Sequence, residues 1–142
     1  MTITQRSPAR VRVLAAALLL GALSVGTAFA ADIKVTLSGA NEVPPVTTAA
    51  SGGGTIKVGD DGSVSGSVST TGVAGTAAHI HEGAAGKNGP VIVPLTKEGD
   101  TYKVPASAKL TEAQMGSFKA GNLYINVHSA ANPGGEIRGQ LK

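Results

Sequence analysis

A period-two alternation of apolar and polar residues, which recurs from Ala31 to the C-terminus, is the feature that most constrains the fold. Near its start, Ile33, Val35 and Leu37 alternate with polar residues. Alternation with this period places successive side chains on opposite faces of a β-strand. Further runs of this kind are separated by segments rich in glycine, proline and asparagine. They cover residues 54–58, 63–69, 77–82, 91–95, 101–104, 122–128 and 135–141. About eight short, regularly spaced strands predict an all-β sandwich or barrel.

Two connections between these runs have their own signals. The turn Gly59-Asp60-Asp61-Gly62 predicts a β-hairpin in which Asp-Gly supplies the residues with positive φ. Residues 42–54 contain two prolines and three consecutive glycines. Since proline cannot donate to a β-ladder, this segment is predicted to be a loop or an edge strand.

One segment, near 110–119, departs from period two and predicts a single short helix. Thr111 and Gln114 have the spacing of a capping box, and Gly121 is placed to end the helix. Leu110, Met115 and Phe118 fall near one face. The helix is expected in a crossover between strands.

The net charge of +3 comes entirely from the N-terminal segment. Arg6, Arg10 and Arg12 precede every acidic residue, and from Ala31 onward nine basic residues balance nine acidic ones. The chain also has no basic stripe interleaved with aromatic residues, so nucleic acid is not an expected partner.

Residues 1–30 have the pattern of a cleaved signal peptide. The basic segment is followed by an apolar run at 13–23 and by the small-residue site Ala28-Phe29-Ala30. The alternative, a membrane anchor, is disfavoured because small and polar residues interrupt the run. We therefore expect one domain over residues 31–142, in the periplasm or secreted, with no membrane insertion after cleavage behind Ala30.

The chain contains no cysteine. Exported domains of this size often depend on disulfides, so here a packed core has to supply the stability. The absence of thiols also excludes a cysteine nucleophile and narrows the expected metal ligands to histidine and carboxylate groups.

The three histidines form the strongest candidate site. His79 and His81 share one face of a predicted strand, with Ile80 on the other face. His128 lies with Tyr124 and Asn126 on the face of another strand that is opposite its aliphatic residues. Three imidazoles on neighbouring strands are suitable ligands for copper or zinc.

Charged residues are candidates for supporting such a site. Glu82, Glu136 and Glu42 are candidate fourth ligands or partners of the ligating histidines. Arg138 has period-two spacing from Glu136 and is a candidate for orienting an anion. The alternative is structural: the histidines donate to backbone carbonyls, and Glu136 and Arg138 form an ion pair.

Four segments in register resemble the CHRD domain, a module repeated in the animal protein chordin and found singly in many exported bacterial proteins. They are residues 37–45, 78–91, 121–129 and 132–141. The resemblance covers essentially all of the chain after residue 30. It implies an immunoglobulin-like or Greek-key fold, and it implies little about activity.

A second, weaker resemblance is to copper/zinc superoxide dismutase, another Greek-key sandwich. It implies that His79, His81 and His128 match copper ligands and that Arg138 corresponds to an anion-guiding arginine. The chain departs from that family because it has only three histidines and no cysteine. With these departures, the resemblance is compatible only with a site that holds copper and no zinc.

Three functional hypotheses follow. The first is an exported, non-catalytic CHRD-domain protein that binds copper, or else zinc, through His79, His81 and His128. The second is an interaction module with structural histidines and a protein or surface polymer as its partner. The third is a dismutase-like copper enzyme.

Overall fold

The computed structural model describes Thr2 and residues 31–142, so the predicted signal peptide lies outside the described residues except for Thr2. The described part contains nine strands, a short 3-10 helix at Gly39–Asn41 and one α-helix, α1, at Glu112–Lys119. The strands are β1 (Ala31–Ser38), β2 (Ser51–Val58), β3 (Val64–Thr71), β4 (Gly75–Glu82), β5 (Val91–Pro94), β6 (Thr96–Glu98), β7 (Thr101–Lys103), β8 (Leu123–Ser129) and β9 (Ile137–Gln140).

All nine strands belong to one antiparallel sheet in the order β5-β4-β8-β9-β1-β2-β3-β7-β6. The two end strands, β5 and β6, are consecutive in the chain and are joined by Leu95 alone. The Leu95 N–H donates to the carbonyl of Ala78 in β4 at 3.0 Å. The sheet therefore nearly closes on itself, which confirms the predicted all-β sandwich or barrel.

The aliphatic residues of the alternating pattern fill the interior. Ile33, Val35 and Leu37 of β1 pack with Ile80 of β4 and with Leu123, Ile125 and Val127 of β8 in one cluster. Full burial of such side chains contributes about 1.5–3 kcal/mol each. The period-two assignment of faces is thus correct on these strands.

The glycine-rich segment differs from its prediction. Residues 51–54 belong to β2, a central strand between β1 and β3, and only residues 42–50 form a loop. A Cβ on Gly54 would collide with the carbonyl of Ser67, and one on Gly52 would lie 2.8 Å from the carbonyl of Ser69. Glycine is therefore needed here so that the neighbouring backbone can approach closely.

Two smaller corrections concern the hairpin turn and β6. The turn after β2 has positive φ only at Gly62 (+84°), and Asp61 does not adopt it. Strand β6 was not predicted, because its three residues are all exposed and have no apolar alternation.

Helix α1 confirms its predicted capping. The Thr111 side chain accepts from the Gln114 N–H at 3.2 Å, and the Gln114 side chain accepts from the Thr111 N–H at 2.9 Å. Gly121 follows with φ of +74°. The helix connects β7 with β8, as expected of a crossover.

Strand β8 is buried on both faces. Tyr124 and Asn126 are on the outward face, yet they are only 2% and 3% exposed, because loops cover this side of the sheet. The Gly89 N–H donates to the Tyr124 hydroxyl, and the Asn126 amide donates to the carbonyl of Gly134. A polar layer thus lies outside the sheet, between β4, β8 and β9 and these loops.

None of the helices in residues 31–142 has the length and apolar character needed to cross a membrane.

Two glycine-to-alanine substitutions should affect stability in opposite directions. Gly54→Ala should lower the free energy of unfolding by about 1–3 kcal/mol, because the added methyl group overpacks against β3. Gly116→Ala should raise it by up to about 1 kcal/mol, since a Cβ on Gly116 meets nothing within 4 Å and alanine favours the helix. Urea denaturation followed by circular dichroism measures both. Equal effects of the two substitutions would contradict this account of β2.

Candidate metal centre

The three histidines converge on the outward face of adjacent strands β4 and β8. Their imidazoles offer one nitrogen each, and these three atoms lie within 4.8 Å of one another. His81 is 8% exposed, whereas His79 and His128 are partly exposed. The structure therefore brings together all three residues that the sequence singled out.

Backbone carbonyls fix the orientation of two of the rings. The carbonyl of Gly89 lies 2.9 Å from His81 Nδ1, and the carbonyl of Pro133 lies 2.9 Å from His128 Nδ1. A carbonyl only accepts, so each Nδ1 carries the proton and each Nε2 presents a lone pair. This is the second-sphere arrangement typical of histidines that ligate metals.

His79 Nδ1 lies 3.0 Å from His128 Nε2, a hydrogen-bond distance, and since His128 Nε2 carries a lone pair, His79 Nδ1 donates to it in the metal-free protein. Two nitrogens at this separation can both lie about 2.0–2.1 Å from one ion. The widest nitrogen separation, up to 4.8 Å, exceeds the roughly 4.2 Å that two such bonds can span. Binding one ion at all three nitrogens therefore requires the imidazoles to move closer together and His79 Nδ1 to lose its proton.

Tyr124 forms the wall behind His81. The two rings are stacked, with centroids 4.8 Å apart and an interplanar angle of 6°. The Tyr124 hydroxyl also accepts from the N–H of Gly89, whose carbonyl binds His81. One tyrosine thus supports His81 through its ring and through its hydroxyl.

Arg138 stacks on the same tyrosine, with its guanidinium carbon 3.4 Å from the ring centroid. It must lie on the face opposite His81, because both groups cannot fit on one face. Its guanidinium donates to the carbonyl of Ala84 at 3.0 Å and to side-chain oxygens of Gln140 and Asn88. Arg138 is only 1% exposed, so it is not placed to guide an anion from solvent, as the dismutase resemblance implied.

The predicted supporting carboxylates lie outside the cluster. Glu82 accepts from the Ser117 hydroxyl, and Glu136 accepts from the hydroxyls of Ser129 and Thr48. The expected Glu136–Arg138 ion pair is absent from the salt bridges of the described residues, which are Lys57–Asp32 and Lys103–Glu98. Burial lowers the pKa of Arg138, and Glu42, which is 4% exposed, is the carboxyl group whose charge opposes this lowering.

Three buried side-chain atoms in this layer have no hydrogen-bond partner. They are Nε2 of His81, Oε1 of Glu42 and Oδ1 of Asn126. The alternation along β8 predicted that Tyr124 and Asn126 share the face of His128. It did not predict a role in the site for either residue.

Burial controls the titration of the site. It lowers the pKa of His81. The Gly89 carbonyl and the Asn126 side chain oppose this effect because both can accept from the protonated ring, whereas the charges of His128 and Arg138 add to it. Burial lowers the pKa of His79 too, helped by the two other histidines. Burial raises the pKa of Glu42, and the nearby Arg138 and Asn126 side chains offset part of this increase. The lowered pKa values keep His79 and His81 neutral near pH 7, the form in which imidazole ligates metals.

The family model described as CHRD domain matches residues 33–141. Comparison with curated proteins and with solved structures gives no match.

The metal-free protein should lose stability as the pH falls below about 6.5. Because the folded pKa of His81 lies below its ordinary value of 6.5, the unfolded state binds protons first and is favoured. Urea denaturation between pH 7.5 and pH 5 tests this. His81→Gln, which cannot titrate, should flatten part of the dependence. An identical slope in both proteins would contradict the assignment.

Proposed function

Because the chain belongs to the CHRD domain family, we propose that it acts as a non-catalytic binding protein for a transition metal ion, copper before zinc. The ligands are His79, His81 and His128. Tyr124, Arg138 and Gly89 support His81 without contacting the ion.

The observation that carries the proposal is the unpartnered Nε2 of His81. This atom is buried without a hydrogen bond, a situation that costs about 1–3 kcal/mol when nothing compensates it. A histidine with a structural role alone would satisfy both nitrogens. Here Nδ1 is engaged by Gly89, and the free lone pair belongs to a set of three converging nitrogens.

The donor set favours copper and zinc. Imidazole suits both ions, and nitrogen ligands bind Cu²⁺ more tightly than Zn²⁺ in the general order of stability. The chain has no cysteine, so thiolate selection of Cu⁺ does not operate. Three histidine ligands leave at least one further coordination position on either ion.

The proposed place of action is outside the cytoplasm. CHRD domains are typically extracellular, and residues 1–30 have the basic segment, apolar run and Ala28-Phe29-Ala30 site of an export signal. The periplasm is the expected destination in a bacterium, and secretion is the alternative.

Binding is preferred to dismutase-like turnover because of Arg138. An arginine that attracts superoxide has to reach solvent near the metal, but this guanidinium is buried against Tyr124 and hydrogen-bonded to the loop at Ala84.

Calorimetric titration of the chelator-treated protein tests the proposal. We expect one Cu²⁺ per chain, displacing bound Zn²⁺. His81→Ala should weaken binding by at least about tenfold. Removing a residue that only hydrogen-bonds to a metal ligand already lowers metal affinity by about ten- to a hundredfold, so removing a ligand should cost no less.

Glu82→Gln is the matched control, because Glu82 is on the same strand but binds Ser117. It should leave the affinity within about twofold of the original, well below the loss expected on disturbing a metal ligand. No uptake of either ion, or equal uptake by His81→Ala, would refute the metal site and favour the interaction module.

A further inference from the structure

Asn126 lies at the centre of the histidine cluster. Across the β4–β8 ladder it is directly opposite His79, and across the β8–β9 ladder it is opposite Arg138. Along β8 it is two residues from His128, on the same face of the strand. Asn126 is 3% exposed, so it forms the floor of the site.

The unpartnered atoms around this floor share one chemical property. Asn126 Oδ1 and Glu42 Oε1 are oxygens that accept, and His81 Nε2 presents a lone pair because Nδ1 donates to Gly89. Acceptors cannot satisfy one another, so His81 Nε2 and Asn126 Oδ1 require a cation or a donor from elsewhere.

The Asn126 amide group has a defined orientation. Its Nδ2 donates to the carbonyl of Gly134 at 3.3 Å. Nδ2 and Glu42 Oε1 also lie together beside Gly135, where both would contact an added Cβ. With the NH2 group held by a carbonyl and facing a carboxyl oxygen, the planar amide directs Oδ1 away from them. The side chain also opposes the lowering of the pKa of His81 by burial, as expected of an acceptor that faces this ring.

We propose that Asn126 Oδ1 is the fourth ligand of the ion held by His79, His81 and His128. This inference rests on the proposed function and gives the site three nitrogen ligands and one oxygen ligand. A carbonyl oxygen is a hard ligand, so the set favours Cu²⁺ and Zn²⁺ over Cu⁺. Glu42 and Gly134 then act as positioning groups that keep the amide oxygen turned toward the ion.

The rival arrangement has the Asn126 amide rotated by 180°. Nδ2 would then donate to His81 Nε2, and a protonated Glu42 would donate to Oδ1. Asn126 would be a structural residue in that case, and its amide oxygen would have the same partner, Glu42, with and without metal.

Nuclear magnetic resonance of the full protein with labelled asparagine separates the two arrangements. On saturation with Zn²⁺, the chemical shift of the side-chain carbonyl carbon (Cγ) of Asn126 should change. The Cγ of Asn41, whose side-chain amide donates to the backbone of Arg138, should keep its chemical shift. An Asn126 signal that saturating Zn²⁺ leaves unmoved would overturn the inference. So would a through-bond coupling between Asn126 Nδ2 and His81 Nε2.

Substitutions provide the second readout. Asn126→Ala should weaken Zn²⁺ binding by about ten- to a hundredfold and alter the visible spectrum of the Co²⁺ form. Asn126→Asp keeps an oxygen ligand and should retain most of the affinity. Asn41→Ala is the matched control and should change neither quantity. The resonance experiment needs no variant, so it decides the question even if Asn126→Ala does not fold.

The outcomes distinguish this inference from the proposed function. If the unsubstituted protein takes up no metal, both fail. If it binds metal and His81→Ala does not, but Asn126→Ala binds as tightly as the original protein, only the fourth ligand is refuted.

Discussion

The burial of β8 on both of its faces is the constraint on which the rest of the structure depends. One face supplies Leu123, Ile125 and Val127 to the aliphatic interior. The other supplies Tyr124, Asn126 and His128 to a polar layer beneath the loops. Because the side chains on both faces are attached to the same backbone, the packing of the core also fixes where the polar side chains start and the direction in which they point. The candidate metal centre is therefore held by the most buried part of the sheet.

The polar layer is stabilised by a chain of contacts that begins at Arg138. Its guanidinium connects β9 to the loop at Ala84 and covers one face of Tyr124. The other face of Tyr124 carries His81, and its hydroxyl holds the peptide of Gly89. Burying an arginine is costly unless its donors are used and its charge is compensated. Here the donors have acceptors, and Glu42 supplies an opposing charge.

The sequence predicted what local periodicity determines. Alternation placed Ile80 in the core and all three histidines on the opposite face, and the spacing of Thr111 and Gln114 predicted the helix cap. Alternation cannot reveal what covers a face. That depends on contacts distant in sequence, such as the hydrogen bond between Arg138 and Ala84. For the same reason the sequence offered Arg138 and Glu136 as site residues. It missed the orphaned oxygen of Asn126, which is recognisable only from the absence of a partner.

The unpartnered acceptors link stability to binding. A small domain has a net stability of about 5–15 kcal/mol, and each buried acceptor without a partner costs about 1–3 kcal/mol of it. His81 Nε2 and Asn126 Oδ1 are two such atoms in one polar layer, so the metal-free fold carries a cost that other packing must offset. A cation that binds only the folded state would raise the free energy of unfolding by mass action. The near-closed barrel and the buried stack on Tyr124 are the packing that offsets the cost of these two unpartnered atoms in the metal-free fold.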